Sequence, residues 1–346
     1  MNSLIEIQKK IVPQVIEQMN KRYSILRQIS IRQPIGRRAL AVVLDMSERI
    51  TRAEVDFLKE QDLIDISTFG MTITDAGRKL LDDLEYVMND IMGITDLEKE
   101  IKNRLGLKFV AISESVGDSQ EGTLKTVSKK AARYLVENIR SGDIIAIAGG
   151  TTMREVALNV ELEVNSNNND VVVLPTRGSV GSDIDLQANS IAGLLAKNIG
   201  SRVEYLYVPD DIDVITRESL MSISELKRTV NDLKNANKIF FSVGRADVMS
   251  ERRGMSEDDR KKLIDSGAVG EAFGHYFDKE GNIVLKINTI GIDIEMYKNC
   301  ENPVVVFGGN DKVDSFLALY KINKNISLIT DEDSAKEILN KVKVVL

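Results

Sequence analysis

Beyond residue 105 short apolar runs alternate with amphipathic stretches, and this alternation restricts the fold of the 346-residue chain more than any other feature. The runs fall at 109–113, 144–148, 171–174, 203–208, 239–243, 304–307 and 326–330. Between and after them the spacing predicts helices over 121–139, 153–159, 187–198, 224–235, 257–266, 312–320 and 333–341. Strands separated by helices form a parallel sheet covered on both faces. Such sheets bind ligands outside the carboxyl ends of their strands.

Those ends are where glycine collects. The run at 144–148 leads into Gly149, Gly150, Thr151 and Thr152, and that at 171–174 into Pro175, Thr176, Arg177 and Gly178. The run at 239–243 leads into Gly244, Arg245 and Ala246, and that at 304–307 into Gly308, Gly309, Asn310, Asp311 and Lys312. Glycine lets a backbone approach an anion closely, and the free N–H groups of a following helix point at it. Four such turns at one sheet edge, with Arg177 and Lys312 among them, predict a pocket for a phosphorylated metabolite. Arg252, Arg253 and Glu271 lie on connections able to close over it. Glu271 suits either proton abstraction next to a carbonyl or a hydrogen bond to a sugar hydroxyl, and the sequence leaves both open.

Other chemistries find little support. There is no Gly-x-x-x-x-Gly-Lys-Ser/Thr string, and neither 149–156 nor the glycines at 267, 270 and 274 have dinucleotide-fold spacing. Cys300 and His275 are each the sole residue of their type, so a disulfide within the chain and a cysteine or histidine metal cluster are excluded. His275 fits a structural role better than a catalytic one. No apolar run approaches the roughly 20 residues of a membrane span, and the N-terminus, with Glu6, Lys9 and Lys10, lacks a signal-peptide core. A cytoplasmic protein is expected.

The formal charge of −7 conceals an asymmetry. Residues 1–54 hold ten Lys and Arg against five Asp and Glu, an excess of five positive charges, so the remainder has an excess of twelve negative ones. A basic front on an acidic chain points to nucleic-acid contact at the front alone. After Pro34 a short helix is predicted over 35–44, a turn at Asp45 and Met46, then a helix over 48–61 with Ser47 as N-cap. Ile50, Ala53, Phe57 and Leu58 form its expected buried stripe. Arg49, Thr51 and Arg52 then lie near its start, where a recognition helix meets base edges. Arg37 and Arg38, one helix earlier, suit phosphates. Extended runs at 63–66 and 71–73 predict a hairpin, with Thr74 or Asp75 capping a further helix. The sum is a winged helix-turn-helix. On the last helix Leu80, Leu84, Val87, Ile91 and Ile94 are spaced as a coiled-coil seam, which fits either a dimer or packing on a neighbouring domain. A winged domain with its linker helix over 1–90 and an effector domain over 91–346 are expected.

These residues carry a resemblance. Pro34-Ile35-Gly36-Arg37-Arg38, Gly149-Gly150-Thr151-Thr152, Pro175-Thr176-Arg177-Gly178, Gln187-Ala188-Asn189-Ser190, Arg252-Arg253, Glu271-Ala272-Phe273-Gly274 and Gly308-Gly309 through Lys312 resemble, in order and across almost the whole chain, the SorC family of sugar-responsive bacterial repressors. The resemblance implies a doubly wound, mainly parallel α/β effector domain related to glucosamine-6-phosphate deaminase and ribose-5-phosphate isomerase, with the chemistry lost and no cofactor. It implies double-stranded operator DNA and a homo-oligomer, dimer or tetramer, as partners. In the family's glycolytic branch the implied effector is fructose-1,6-bisphosphate. Carried over by position, Gly149 belongs to the same turn as Gly150, Thr151 and Thr152, which with Lys312 would serve one phosphate. Arg177 and Arg252 would serve other charged parts of the ligand, and Gln187 and Glu271 its hydroxyls. The family pattern has small serines where this chain has Asn310 and Asp311. Two rival readings are an active phosphosugar enzyme with Glu271, Asp183 or Asp185 as base, and a structural nucleoid protein.

Overall fold

The computed structural model describes residues 7, 10–117, 119–160, 168–178, 183–209 and 212–343; Glu6 and Lys9 of the basic front lie outside them. The chain divides into two compact units, Met1–Leu97 with Glu114–Gly122, and Glu98–Ser113 with Thr123–Leu346. A single cut at residue 90 would leave Glu114–Gly122 in the second unit. Its place in the first follows from its bonds: Arg27 pairs with the Glu114 carboxylate at 2.9 Å and donates to the carbonyls of Glu114 and Ser115, while the Tyr23 hydroxyl lies 3.1 Å from Glu114 Oε1.

The N-terminal unit runs α1 (Pro13–Arg32), α2 (Arg37–Val43), α3 (Glu48–Glu60), β1 (Ile64–Ser67), β2 (Gly70–Ile73) and α4 (Asp75–Met92). Ser47 caps α3 by accepting from Ile50 N, and Thr74 caps α4 by accepting from Gly77 N. The two strands pair from Ile64↔Ile73 to Ser67↔Gly70, and Ile35 joins them through two backbone bonds to Met71. Gly70 makes that approach possible: its φ is +134°, and a Cβ there would lie 2.9 Å from Ile35 N. Ile25, Leu26, Ile29, Leu40, Val55, Leu58 and Ile64 fill the core.

Two expectations change here. The buried residues of α3 are Thr51, Val55 and Leu58, whereas Ile50 is 43% exposed and Ala53 is exposed. The helix is rotated relative to the stripe its apolar letters suggest, because a threonine whose hydroxyl donates to the Ser47 carbonyl takes the inward position. The expected seam is largely covered within its own unit: Met88 and Ile91 bury against Tyr23 of α1, with Leu81 and Leu84 packed on the same cluster. Gly93, at φ +81°, ends α4.

The second unit contains α5 (Ile94–Leu105, begun in the first), β3 (Phe109–Ser113), α6 (Gln120–Asn138), β4 (Ile144–Ile147), α7 (Thr151–Leu158), β5 (Asn168–Pro175), α8 (Ala188–Ile199), β6 (Ser201–Val203), α9 (Val214–Met221), α10 (Ser224–Lys234) and β7 (Lys238–Phe241). It continues with β8 (Gly244–Arg245), α11 (Ala246–Arg252), α12 (Glu257–Asp265), β9 (Ala268–Ala272), β10 (His275–Asp278), β11 (Ile283–Lys286), α13 (Ile294–Asn299), β12 (Asn302–Val306), α14 (Val313–Ile322), β13 (Ser327–Asp331) and α15 (Glu332–Lys343). Seven strands form one parallel sheet in the order β3-β13-β12-β7-β4-β5-β6. Phe240 and Phe241, pointing to opposite faces, are each 1% exposed, so both faces are covered. From β4 the chain moves outward to β5 and β6, then returns to β7 on the other side of β4. This reversal is the switch point at which doubly wound sheets open a crevice.

β8–β11 form a separate four-stranded antiparallel sheet that the sequence does not announce. Its glycines hide it. Gly270 lies inside β9 because the Phe277 ring of β10 crosses it, 2.4 Å from where a Cβ would sit. Glu271 is therefore on a strand rather than a connection, and Arg252 is the last residue of α11. The expected strand at 203–208 is reduced to Ser201–Val203.

Candidate functional site

At the switch point the turns after β4, β5, β7 and β12 line a cavity of about 510 Å³ together with α11 and β9. Gly149, Gly150, Thr151, Thr152, Arg177, Gln187, Arg252, Glu271 and Lys312 all line it, as do Arg245, Arg253, Asp183 and Asp311. Among the described residues five cationic side chains meet three carboxylates there, an arrangement suited to an anion.

The turn after β4 is shaped by its glycines. Gly149 packs so closely on the next segment that a Cβ would lie 2.8 Å from the Leu186 carbonyl, and Gly150 has φ +104°. The Gly150 N–H donates to Leu186 O at 2.8 Å. Its amide is thus committed within the protein, a correction to its expected part as a phosphate donor. The first bond of α7 is Arg154 N to Gly150 O, so the amides of Thr151, Thr152 and Met153 precede it and are the ones without helical partners. Thr151 is exposed and Thr152 is 5% exposed. This helix start can receive a negatively charged group.

Around it the charges are held in pairs. Glu271, 4% exposed, accepts from the Gly274 amide at 2.8 Å and from Arg253 at 3.2 Å, with Arg177 at 3.7 Å. Arg253 has a side chain only 6% exposed, whereas Arg252 is exposed, so the more deeply set of the two adjacent arginines is the one outside the expected site residues. Its structural signal lies in Glu271, whose burial demands a cation. Arg245 grips Asp247 with two nitrogens, at 3.1 and 2.5 Å, and reaches Asp311 at 3.2 Å. It holds the Asp247 carboxyl below the usual carboxylate range by these hydrogen bonds. The sequence marks Arg245 only as part of a turn. Burial pushes the Lys312 ammonium pKa down, as does nearby Arg252, against the opposing pull of Asp311 and Asp331. Asp183 caps a short turn by accepting from Asp185 N. His275 is buried on β10, with Nδ1 2.9 Å from the Phe273 carbonyl, and does not line the cavity.

In the N-terminal unit, Arg49 and Arg52 lie on the exposed side of α3. Among the described residues neither is paired with a carboxylate within 4 Å. Thr51 is 0% exposed and hydrogen-bonded to Ser47 O, which removes it from the expected DNA contacts. Arg37 pairs with Asp56 of α3 at 2.8 Å, and Arg38, 88% exposed, stands 3.5 Å from Glu48. α3 is fixed from behind: Gln18 and Arg22 of α1 bond Glu54 at 2.7 and 2.9 Å, and the Arg22 guanidinium lies 3.5 Å from the centre of the Phe57 ring. Burial raises the Glu54 pKa, but these bonds outweigh it and hold the carboxyl below its ordinary value.

Comparison with known proteins now decides the family. Residues 18–88 match a family model described as the CggR N-terminal DNA binding domain, and residues 89–340 one described as a sugar-binding domain. The central glycolytic genes regulator of Bacillus subtilis (strain 168) is 37% identical over 339 residues, covering 98% of this chain and 99% of its own. A SorC family transcriptional regulator from Enterococcus faecalis superposes with a TM-score of 0.63 at 32% identity, over 70% of this chain and 99% of that one. This chain belongs to the SorC family of transcription regulators. The full-length sorbitol operon regulator SorC of Klebsiella pneumoniae shares the fold, with a TM-score of 0.67 over 89% of this regulator and 94% of its own chain, at 17% identity. In this regulator the DNA-binding model covers α3 and its arginines, and the sugar-binding model covers every residue lining the cavity. Among the described residues no helix is long and apolar enough to cross a membrane.

Proposed function

We propose that this regulator is a cytoplasmic repressor of central glycolytic genes that binds a double-stranded operator as a dimer or tetramer and releases it when fructose-1,6-bisphosphate, or a related sugar phosphate, fills the cavity. One observation carries the reading: the cavity joins a helix N-terminus to five cationic side chains and three carboxylates among the described residues, in a chain that also presents Arg49 and Arg52 outward on α3 of its DNA-binding domain. A sugar bisphosphate has two poles to match such a surface. Thr151 and Thr152 with Lys312 would take one phosphate, Arg177 and Arg252 other charged parts, and Gln187 and Glu271 the hydroxyls between. Arg49 and Arg52 would read bases, and Arg37 and Arg38 would position phosphates. The effector shifts operator occupancy only by its difference in affinity for the two states.

An enzymatic role is less well supported. Glu271 is already engaged by the Gly274 amide and two arginines, and Asp183 serves as a cap, so neither is placed as an uncommitted base. The test crosses two variants with two readouts. Arg52→Ala should weaken operator binding by roughly 10- to 100-fold, the worth of one good base contact, and leave sugar-phosphate binding intact. Thr152→Ala should do the reverse. Fructose-1,6-bisphosphate at about 100 times its dissociation constant should stabilise the wild-type protein by roughly 2.7 kcal/mol, with inorganic phosphate as control. Equal damage by both variants to both readouts, in folded protein, or turnover of a sugar phosphate lost in Glu271→Gln, would sink the proposal.

A further inference from the structure

Asp311 is an odd residue for the corner where an anion should bind. It precedes Lys312 in the turn after β12, lines the cavity, and is 53% exposed in its side chain. Its carboxylate is turned back over Gly309, so that a Cβ at Gly309, where φ is +101°, would lie 2.7 Å from Asp311 Oδ1. On the other side Oδ2 receives Arg245 Nη1 at 3.2 Å. Arg245 is anchored independently, because its Nε and Nη2 are both taken by Asp247. Its Nη1 is therefore left facing Asp311 with its head already fixed in position. One guanidinium nitrogen thus bonds a carboxylate in the cavity wall that also acts electrostatically on the adjacent Lys312 ammonium.

We propose that Asp311 is an internal competitor for the ligand's phosphate: it holds the Nη1 of Arg245, a phosphate reaching Lys312 displaces it, and Arg245 then joins the ligand as a further cation. This rests on the reading of the cavity as a sugar-phosphate site. The exchange costs one exposed ion pair, a weak interaction, and gains a charge-assisted bond to a group of greater charge. An anion that contacts this corner alone has to displace Asp311 with no other gain. A ligand anchored elsewhere in the cavity displaces it with help. Asp311 accordingly sets a threshold that inorganic phosphate fails and a two-pole ligand passes, and Arg245 and Asp311 become determinants of specificity beyond the helix start and Lys312.

The experiment is calorimetric titration of the full-length wild type, Asp311→Asn, Arg245→Gln and the double variant with fructose-1,6-bisphosphate and with inorganic phosphate. Asp311→Asn should bind the bisphosphate roughly 1.5- to fivefold more tightly, the range one exposed ion pair commands, and should gain binding of inorganic phosphate. Arg245→Gln should weaken bisphosphate binding in the Asp311→Asn background as well as in the wild type. If Arg245 only neutralises Asp311, the second substitution is silent once Asp311 is gone, and the proposal falls. It falls equally if Asp311→Asn binds no more tightly than wild type while wild type binds. Absence of bisphosphate binding by all four proteins overturns the cavity reading itself, and the inference with it.

Discussion

The arginines of the two units are kept in opposite ways. On α3, Arg49 and Arg52 are exposed and, among the described residues, have no carboxylate within 4 Å, while in the cavity Arg177, Arg245 and Arg253 each lie within 4 Å of one. Exposure explains the difference for Arg177 and Arg253, whose side chains are 18% and 6% exposed, while Arg245, 38% exposed, is held by Asp247 and Asp311 at the surface. A guanidinium in water is already solvated, whereas one removed from water requires a partner. The contrast also concerns binding. A polyanion meeting α3 gains new pairs by releasing counterions. An anion entering the cavity exchanges with carboxylates already there, and the gain is the difference between two paired states.

Salt separates these two modes most widely. Raising salt from 50 to 200 mM should cost operator affinity about 3.5-fold for each phosphate contacted, so more than about a hundredfold with four contacts. Sugar-bisphosphate binding should weaken by less than about tenfold, because its partners are short-range and partly buried. Anisotropy of a labelled operator and calorimetry of the sugar, at both salts, give the two slopes. Parallel slopes would erase the distinction.

A second measurement tests whether cavity arginines need their carboxylates. Glu271→Ala removes the buried carboxylate that Arg253 and Arg177 reach at 3.2 and 3.7 Å and the acceptor of the Gly274 amide, so stability should drop by about 3–5 kcal/mol. Glu271→Gln, which preserves the shape and an acceptor, should lose less. Thermal unfolding of the two variants decides. A loss no larger than that of an exposed pair, Lys298 with Glu295 for instance, would mean these arginines are as well solvated as those of α3.

How much of this could be read from the sequence follows the same line. The parallel sheet was legible because its strands are continuous apolar runs between helical ones, and the cavity because glycines mark the strand ends. The order of helix, turn, helix and hairpin was legible from Ser47, Thr74 and the runs around Gly70. Less visible was anything fixed by a partner far along the chain. The second sheet escapes notice because Gly270 looks like a break until Phe277 lies across it. Thr51 looks like a surface residue until Val55 and Leu58 turn it inward. Arg253, 18 residues from Glu271, and Arg245, 66 residues from Asp311, acquire their partners only in the fold.

The smallest effect concerns a group outside both binding surfaces. Burial depresses the His275 pKa below its usual value, helped by Lys286, while the Phe273 carbonyl, Asp293 and Glu271 act in the other direction. With the pKa lower in the folded chain, the unfolded chain binds the extra proton first, so stability is complete above the ordinary histidine range. It is lost as pH falls from about 6.5 toward the folded value. A carbonyl only accepts, so His275 Nδ1 carries the hydrogen that meets the Phe273 carbonyl. Taking the protein from pH 7.5 to 5.5 should therefore lower Tm by a few degrees, and His275→Asn, able to donate to the same carbonyl without titrating, should flatten that slope. An unchanged slope in His275→Asn would show that the acid sensitivity over this interval does not arise at His275, and would place its origin elsewhere than β10.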